Sequence, residues 1–304
     1  MLKAFIGKLL ELSEQDENIA YLTADSGTGY DELYKKLFPN RFYDFGIEEQ
    51  NMIAVSAGMA SEGKIPFVYC PGAFMVNRAL EFIRLDVCYN NSNVKLIGTG
   101  SGLTWSRVGP PHQTTEDISV LRCMPNLTIL SPSTPKQAAQ SVEIAYKING
   151  PVLIRLGMIG EREFFDDKYE IKLSKNDVLL QGSDAVVYTT GSILSEVYDA
   201  CGALAKIGKY VKLVNVSTLK PFDYAGVTED AKAYGKIFTV EEHNIYGGLG
   251  SMVAEAVAYN GINAKVCPIG LNDTFSTGYG SYRDVLCANG LDAQSIYEKI
   301  EAEL

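Results

Sequence analysis

The chain is short of imidazole. Among 304 residues there are two histidines, His112 and His243, so any acid–base step that needs a group titrating near neutral pH has only two places to draw on. Six cysteines stand far apart, at positions 70, 88, 123, 201, 267 and 287, and form no Cys-x-x-Cys pair. Reduced, buried thiols are the expected state, and with them a cytoplasmic protein. No apolar run approaches the ~18 residues of a membrane span. At the N-terminus Lys8 and Glu11 interrupt what could pass for a signal-peptide core. Leu2, Phe5, Ile6, Leu9 and Leu10 recur there at helical spacing instead. A basic patch is also missing: the formal charge is −10 and the pI about 4.9, which argues against a phosphate backbone as partner. Gly-x-Ser-x-Gly is absent and no Ser/His/Asp set is indicated, which disfavours a serine hydrolase. There is no internal repeat and no low-complexity tract.

What is present is an ordinary globular composition, 46% hydrophobic and 21% charged, with room for about two domains of ~150 residues each. Short apolar runs alternate with helical patterns: Ile19–Ala24, Pro66–Cys70, Val94–Ile97, Leu127–Leu130 and Val152–Leu156 read as buried strands. Thr134 suits a helix N-cap and Pro135 its first position. The pattern lapses from Gly157 to Asp177, where Glu161–Lys168 reads as a solvated, charged linker. It resumes with Asp184–Thr190, Val211–Val216 and Ile237–Val240. The fold class is therefore α/β with two parallel-sheet domains, residues 1–157 and 178–304, joined by a linker at 158–177. Ligands of such sheets bind beyond the carboxyl ends of the strands.

The informative stretch is Asp44-Phe45-Gly46-Ile47-Glu48-Glu49-Gln50-Asn51-Met52, where an extended run breaks at a glycine and a closely packed, buried helix is expected from Gln50 to Ser61. A glutamate in the first turn feels the positive end of the helix dipole, while an apolar shell opposes its charge. Residue order adds more than composition does. Gly46–Met52, followed by Ala57–Pro66, resembles the pyrimidine-binding half of transketolase and its thiamine-diphosphate relatives. Thr218–Asp223 and Val240–His243 with Gly247–Gly250 resemble the transketolase C-terminal domain, which in that family is mainly architectural and helps form the dimer.

The resemblance implies that Glu49 bonds to a ring nitrogen of the cofactor's aminopyrimidine, general acid–base catalysis worth about 10²–10⁴ in rate. It implies that Phe74 packs on the pyrimidine, with Pro71 where many relatives carry another aromatic. In Gly109-Pro110-Pro111-His112-Gln113 it makes His112 the residue that reaches the substrate, whereas a surface-loop histidine is the default reading without it. His243 reads as structural. Arg155, inside an apolar strand, needs a counterion: it is either a buried ion pair or, as the resemblance implies, a clamp for substrate phosphate or carboxylate. The loop Gly98–Gly102 reads as an active-site wall. Two polar residues that touch substrate hydroxyls in the family are replaced here by Gly100 and Val108, so ordinary sugar-phosphate substrates are not implied.

The Gly-Asp-Gly…Asn motif that holds magnesium and the diphosphate in the relatives is absent from the sequence. A diphosphate needs a cation with oxygen ligands. The expected arrangement is thus a split enzyme. A separate N-terminal subunit would hold Mg and the diphosphate of thiamine diphosphate, the complex would self-associate as α2β2, and a two-carbon ketol unit would pass from a ketose to an aldehyde. A 2-oxoacid dehydrogenase β subunit or a deoxyxylulose-phosphate-synthase-like chain would share the Glu49 chemistry but consume pyruvate with decarboxylation. A scaffold subunit without activity is the reading from outside the enzymes.

Overall fold

A computed structural model describes residues 1–25, 29–159 and 162–304. The centre of the Asp25–Gly29 loop and Glu161 of the charged linker lie outside the described residues. The N-terminal apolar stripe becomes the helix Leu2–Gln15, which buries Phe5, Ile6 and Leu9. It packs against the helix Pro135–Lys147, whose start is capped by Thr134 Oγ1 accepting from Gln137 N.

The strands of the first sheet are β1 (Ile19–Thr23), β2 (Phe42–Asp44), β3 (Ile65–Pro71), β4 (Lys95–Thr99), β5 (Thr128–Leu130) and β6 (Val152–Leu156). Those of the second half are β7 (Asp177–Leu180), β8 (Ala185–Thr189), β9 (Val211–Asn215), β10 (Thr218–Lys220), β11 (Lys236–Asn244) and β12 (Lys265–Leu271). A seven-stranded sheet runs in the order β10-β5-β6-β4-β3-β1-β2, and a five-stranded one in the order β12-β11-β8-β9-β7. Strands β1, β4, β6 and β8 are buried along their whole length, as continuous apolar runs covered on both faces should be. All pairings are parallel except β5 with β10 and β7 with β9.

Several local expectations are corrected. The helix Glu49–Ser61 buries only Glu49, Met52, Ile53 and Ser56; Gln50, Asn51, Val55, Gly58 and Ser61 face solvent, so its small residues thin one open face and do not signal burial all round. The helical stretch after Pro71 is not continuous: it breaks at Ala79, giving Gly72–Arg78, a short turn, and a π-helical Ile83–Tyr89. Strand β11 continues past Val240, so Glu241, Glu242 and His243 lie on a buried strand and not in a loop. Part of the linker is anchored: Gln140 donates to Tyr169 O at 2.6 Å and accepts from Ile171 N at 2.8 Å. Finally β10, from the second half, pairs with β5 at the edge of the first sheet, stitching the two halves together.

Candidate active site

The cavity that gathers the chemistry lies at the carboxyl ends of four adjacent strands. Ala24 and Asp25 follow β1, Ile47 and Glu49 follow β2, Pro71 and Phe74 adjoin the end of β3, and Thr99, Trp105, Val108 and His112 come at or after the end of β4. Its volume is about 300 Å³, at the small end for a site that encloses a ligand. The approach to Glu49 is set by Asp44, whose Oδ1 accepts from Gly46 N at 3.0 Å and from Asp25 N at 3.1 Å. Gly46 takes φ +66°, a left-handed conformation that costs glycine little. The chain then enters the helix with Glu49 in its first turn.

Glu49 is 1% exposed. Its Oε2 accepts from Arg78 Nη1 at 2.6 Å, and the Arg78 guanidinium lies over the Phe74 ring, 5.3 Å from its centroid. Phe74 in turn meets His112 edge-on at 5.0 Å. A buried carboxylate, an aromatic ring and an imidazole are thereby connected along one wall. Arg78 is the counterion that makes burial of the carboxylate tolerable, and its side chain is itself 43% exposed. Tyr69 also lines the cavity; burial pushes its hydroxyl up, out of the usual phenol range, so it stays neutral.

The loop that carries His112 is held from both sides. Gly102 and Thr114 exchange backbone hydrogen bonds at 2.9 and 3.0 Å. The hydroxyl of Ser276, from the second half, bonds to Gln113 Oε1, and a Cβ on Gly109 would collide with the Tyr279 ring. His112 Nδ1 is buried with no hydrogen-bond partner among the described residues, and the residue lines the cavity.

Glu49, Phe74 and His112 come together. Arg155 does not join them. It is 4% exposed, its Nε donates to Asp117 Oδ2 at 2.6 Å, and Nη1 is 3.5 Å from Ser131 Oγ. The ion pair is formed through Nε, Nη2 is left without a hydrogen-bond partner among the described residues, and Arg155 does not line the cavity. His243 is buried between Ser119 N, 3.4 Å from Nε2, and Asn244 O, 2.6 Å from Nδ1. Sequence reading passed over Arg78 and Trp105. Arg78 stands four residues after Phe74, on the same helix face, a signal that could have been read. Among the described residues no group of three or more His, Cys, Asp or Glu is gathered as a metal ion would require.

The family described as "Transketolase, pyrimidine binding domain" matches residues 1–158, and "Transketolase, C-terminal domain" matches residues 174–296. The chain is 32% identical to a subunit of the apulose-4-phosphate transketolase of Phocaeicola vulgatus, over 97% of this chain and 94% of that protein. It is 33% identical to the 6-deoxy-6-sulfo-D-fructose transketolase subunit SqwH of a Clostridium species, over 88% and 81% respectively. Among solved structures it is similar to one described as "Split gene transketolase, inactive beta4 tetramer", with a TM-score of 0.89, 33% identity, and coverage of 98% of this chain and 96% of that one.

Proposed function

The chain belongs to the transketolase family, by its pyrimidine-binding and C-terminal domains, and from that premise we propose that it is one subunit of a thiamine-diphosphate-dependent transferase that moves a two-carbon ketol unit from a ketose to an aldehyde. The observation that carries this reading is the buried Glu49 carboxylate in the wall of a cavity shared with Phe74 and His112. Those residues fit the aminopyrimidine half of the cofactor: a carboxyl for a ring nitrogen, an aromatic ring for stacking worth ~0.5–1.5 kcal/mol beyond area burial, and an unpartnered imidazole nitrogen. Thiamine diphosphate, once bound, supplies the acidic carbon on which the two-carbon unit is carried.

In this reading Glu49 moves a proton at its carboxyl oxygen, with Arg78 beside Oε2 balancing the buried charge. His112 hydrogen-bonds the substrate oxygen. Arg155, tied to Asp117 through Nε, positions the end of β6. The diphosphate and a magnesium ion would sit on a separate N-terminal subunit, with the pair assembling as α2β2. Two features support the second chain: relatives of nearly the same length are named as subunits, and the cavity mouth is open, with Ile47 67% and Val108 40% exposed.

The test is to purify the chain with a partner that carries the missing Gly-Asp-Gly…Asn motif and assay ketol transfer. Glu49→Gln lowers turnover at least ~10²-fold, with circular dichroism and melting temperature unchanged. Near-normal turnover in that variant refutes the assignment, and decarboxylation of pyruvate by the wild-type complex in place of ketol transfer redirects it to the pyruvate-consuming relatives.

A further inference from the structure

Residues 102–114 form a loop closed at its base. Gly102 and Thr114 pair there through backbone hydrogen bonds of 2.9 and 3.0 Å, and between them stand Trp105, Val108 and His112, all three lining the cavity with Glu49 and Phe74. A Cβ placed on Gly100 would fall inside the Trp105 indole, so that ring lies directly on the backbone leading into the loop. What holds the closure comes from the other half of the chain. Glu242, on β11 and 4% exposed, lies against Gly102: a Cβ there would stand 2.5 Å from Glu242 Cβ and 3.1 Å from its Oε1. The same Oε1 accepts from Leu103 N at 3.1 Å. Two residues further along the strand, Asn244 N donates to Thr115 O at 2.8 Å. The end of β11 therefore grips both sides of the closure, Glu242 where the chain leaves and Asn244 where it returns from His112.

We propose that Glu242 is a positioning residue for the active-site wall: by taking the Leu103 N–H on Oε1 and covering Gly102, it fixes the loop that carries Trp105, Val108 and His112 against Glu49. The turnover it serves rests on the ketol-transfer reading; the placement of the loop does not. Packing alone would be met at lower cost by an apolar side chain, since burial pushes this carboxyl up and a buried polar group is costly unless it is hydrogen-bonded. The Leu103 N–H is that bond, and without an acceptor it would itself be stranded. The contact needs an accepting oxygen and not a charge. Nearer the tip, Gln113 and Gly109 are held by Ser276 and the Tyr279 ring, but a shift at the closure carries the whole loop with it. A misplacement of about 1 Å in a catalytic group can cost on the order of 10²-fold in rate.

Two measurements test this. One is turnover in the two-subunit complex, with hydroxypyruvate as ketol donor and D-glyceraldehyde as acceptor. The other is acrylamide quenching of the full chain alone, where all tryptophan emission comes from residue 105. Glu242→Met keeps the volume over Gly102 and removes the acceptor: kcat per folded molecule falls about tenfold or more, and Trp105 becomes more accessible to the quencher. Glu242→Gln, which puts back an accepting oxygen in the same volume, rescues both readouts. Glu242→Asp draws the oxygen back by one methylene, behaves as Glu242→Met does, and decides the matter if that variant does not fold. A role in stability alone would lower the melting temperature and leave kcat per folded molecule unchanged. If the wild-type complex turns over no ketol substrate, the ketol-transfer reading fails while quenching still decides on Glu242. Wild-type kcat and quenching in Glu242→Met and Glu242→Asp overturn the proposal, as does a loss in Glu242→Gln equal to theirs.

Discussion

A carboxylate at a helix start that is almost fully buried is under opposing influences: the helix dipole favours its charge and the surrounding apolar atoms disfavour it. At Glu49 the 2.6 Å contact with Arg78 supplies the counter-charge. Arg155 poses the same question with a different answer. It and Asp117 are both nearly inaccessible, and removing one partner of such a pair leaves the other uncompensated, at about 3–5 kcal/mol. Arg155→Met is accordingly expected to lower stability by about 3 kcal/mol or more in denaturant titration, with the KM for the ketol donor unchanged. A large rise in KM at wild-type stability would restore Arg155 as a substrate clamp. His112→Asn, in contrast, is expected to keep the fold and lose turnover by about 10²-fold in steady-state assays. Glu49, Phe74 and His112 were legible because each lies in a run whose residue order carries a family pattern. Arg78 and Trp105 were not, because what they do depends on the ring or backbone they lie against, and nothing in the run Trp105–Val108 says that Gly100 will be underneath.

At the scale of elements, apolar runs declared the central strands to within a residue or two, and Val152–Leu156 is β6 as read. The reading fell short where a strand continues through polar residues, since the apolar run Ile237–Val240 ends four residues before β11 does. Glu241, Glu242 and His243 extend β11 into the seam between the two halves because each is satisfied there: Glu241 accepts from Leu249 N at 2.7 Å and Gly250 N at 2.8 Å, and Glu242 Oε1 accepts from Leu103 N at 3.1 Å. Burial pushes the Glu242 carboxyl up to about 7, against roughly 4.3 in an unfolded chain. Between those values the folded protein holds a proton that the unfolded one has released, so this contribution to stability is full below the lower value and is lost as pH rises to the upper, by about 1.4 kcal/mol per unit. Melting temperatures of wild type and Glu242→Gln should therefore converge at acid pH and separate in favour of the variant as pH rises to about 7; parallel curves would count against the buried carboxyl. Lys95 is a second hidden element-scale contact. Its ammonium donates to Asn93 Oδ1, Ile148 O and Gly150 O at 2.6, 2.6 and 2.8 Å, holding the turn that feeds β6. Lys95→Met strands these acceptors and is expected to cost about 3 kcal/mol in chemical denaturation.

At the scale of the molecule, two parallel sheets stitched by β10 place a partly built site at an open edge. The free face of the helix Glu49–Ser61 and the exposed Ile47 beside it suit the close approach of another chain, and no helix among the described residues is long and apolar enough to cross a membrane. The two-domain layout was legible in the alternation of strands and helices. The crossing of β10 was not, since a three-residue strand leaves no periodicity to read. The need for a partner was legible only as a missing motif, and substrate identity was written nowhere in the local pattern. The most direct measurement is calorimetric titration of thiamine diphosphate with magnesium into this chain, into its proposed partner, and into the mixture, with Glu49→Gln alongside. Tight binding in the mixture, little to this chain alone, and weakened binding with Glu49→Gln is the predicted result. Equal binding by this chain with and without the partner, or indifference to the residue at position 49, would contradict a site shared between two subunits.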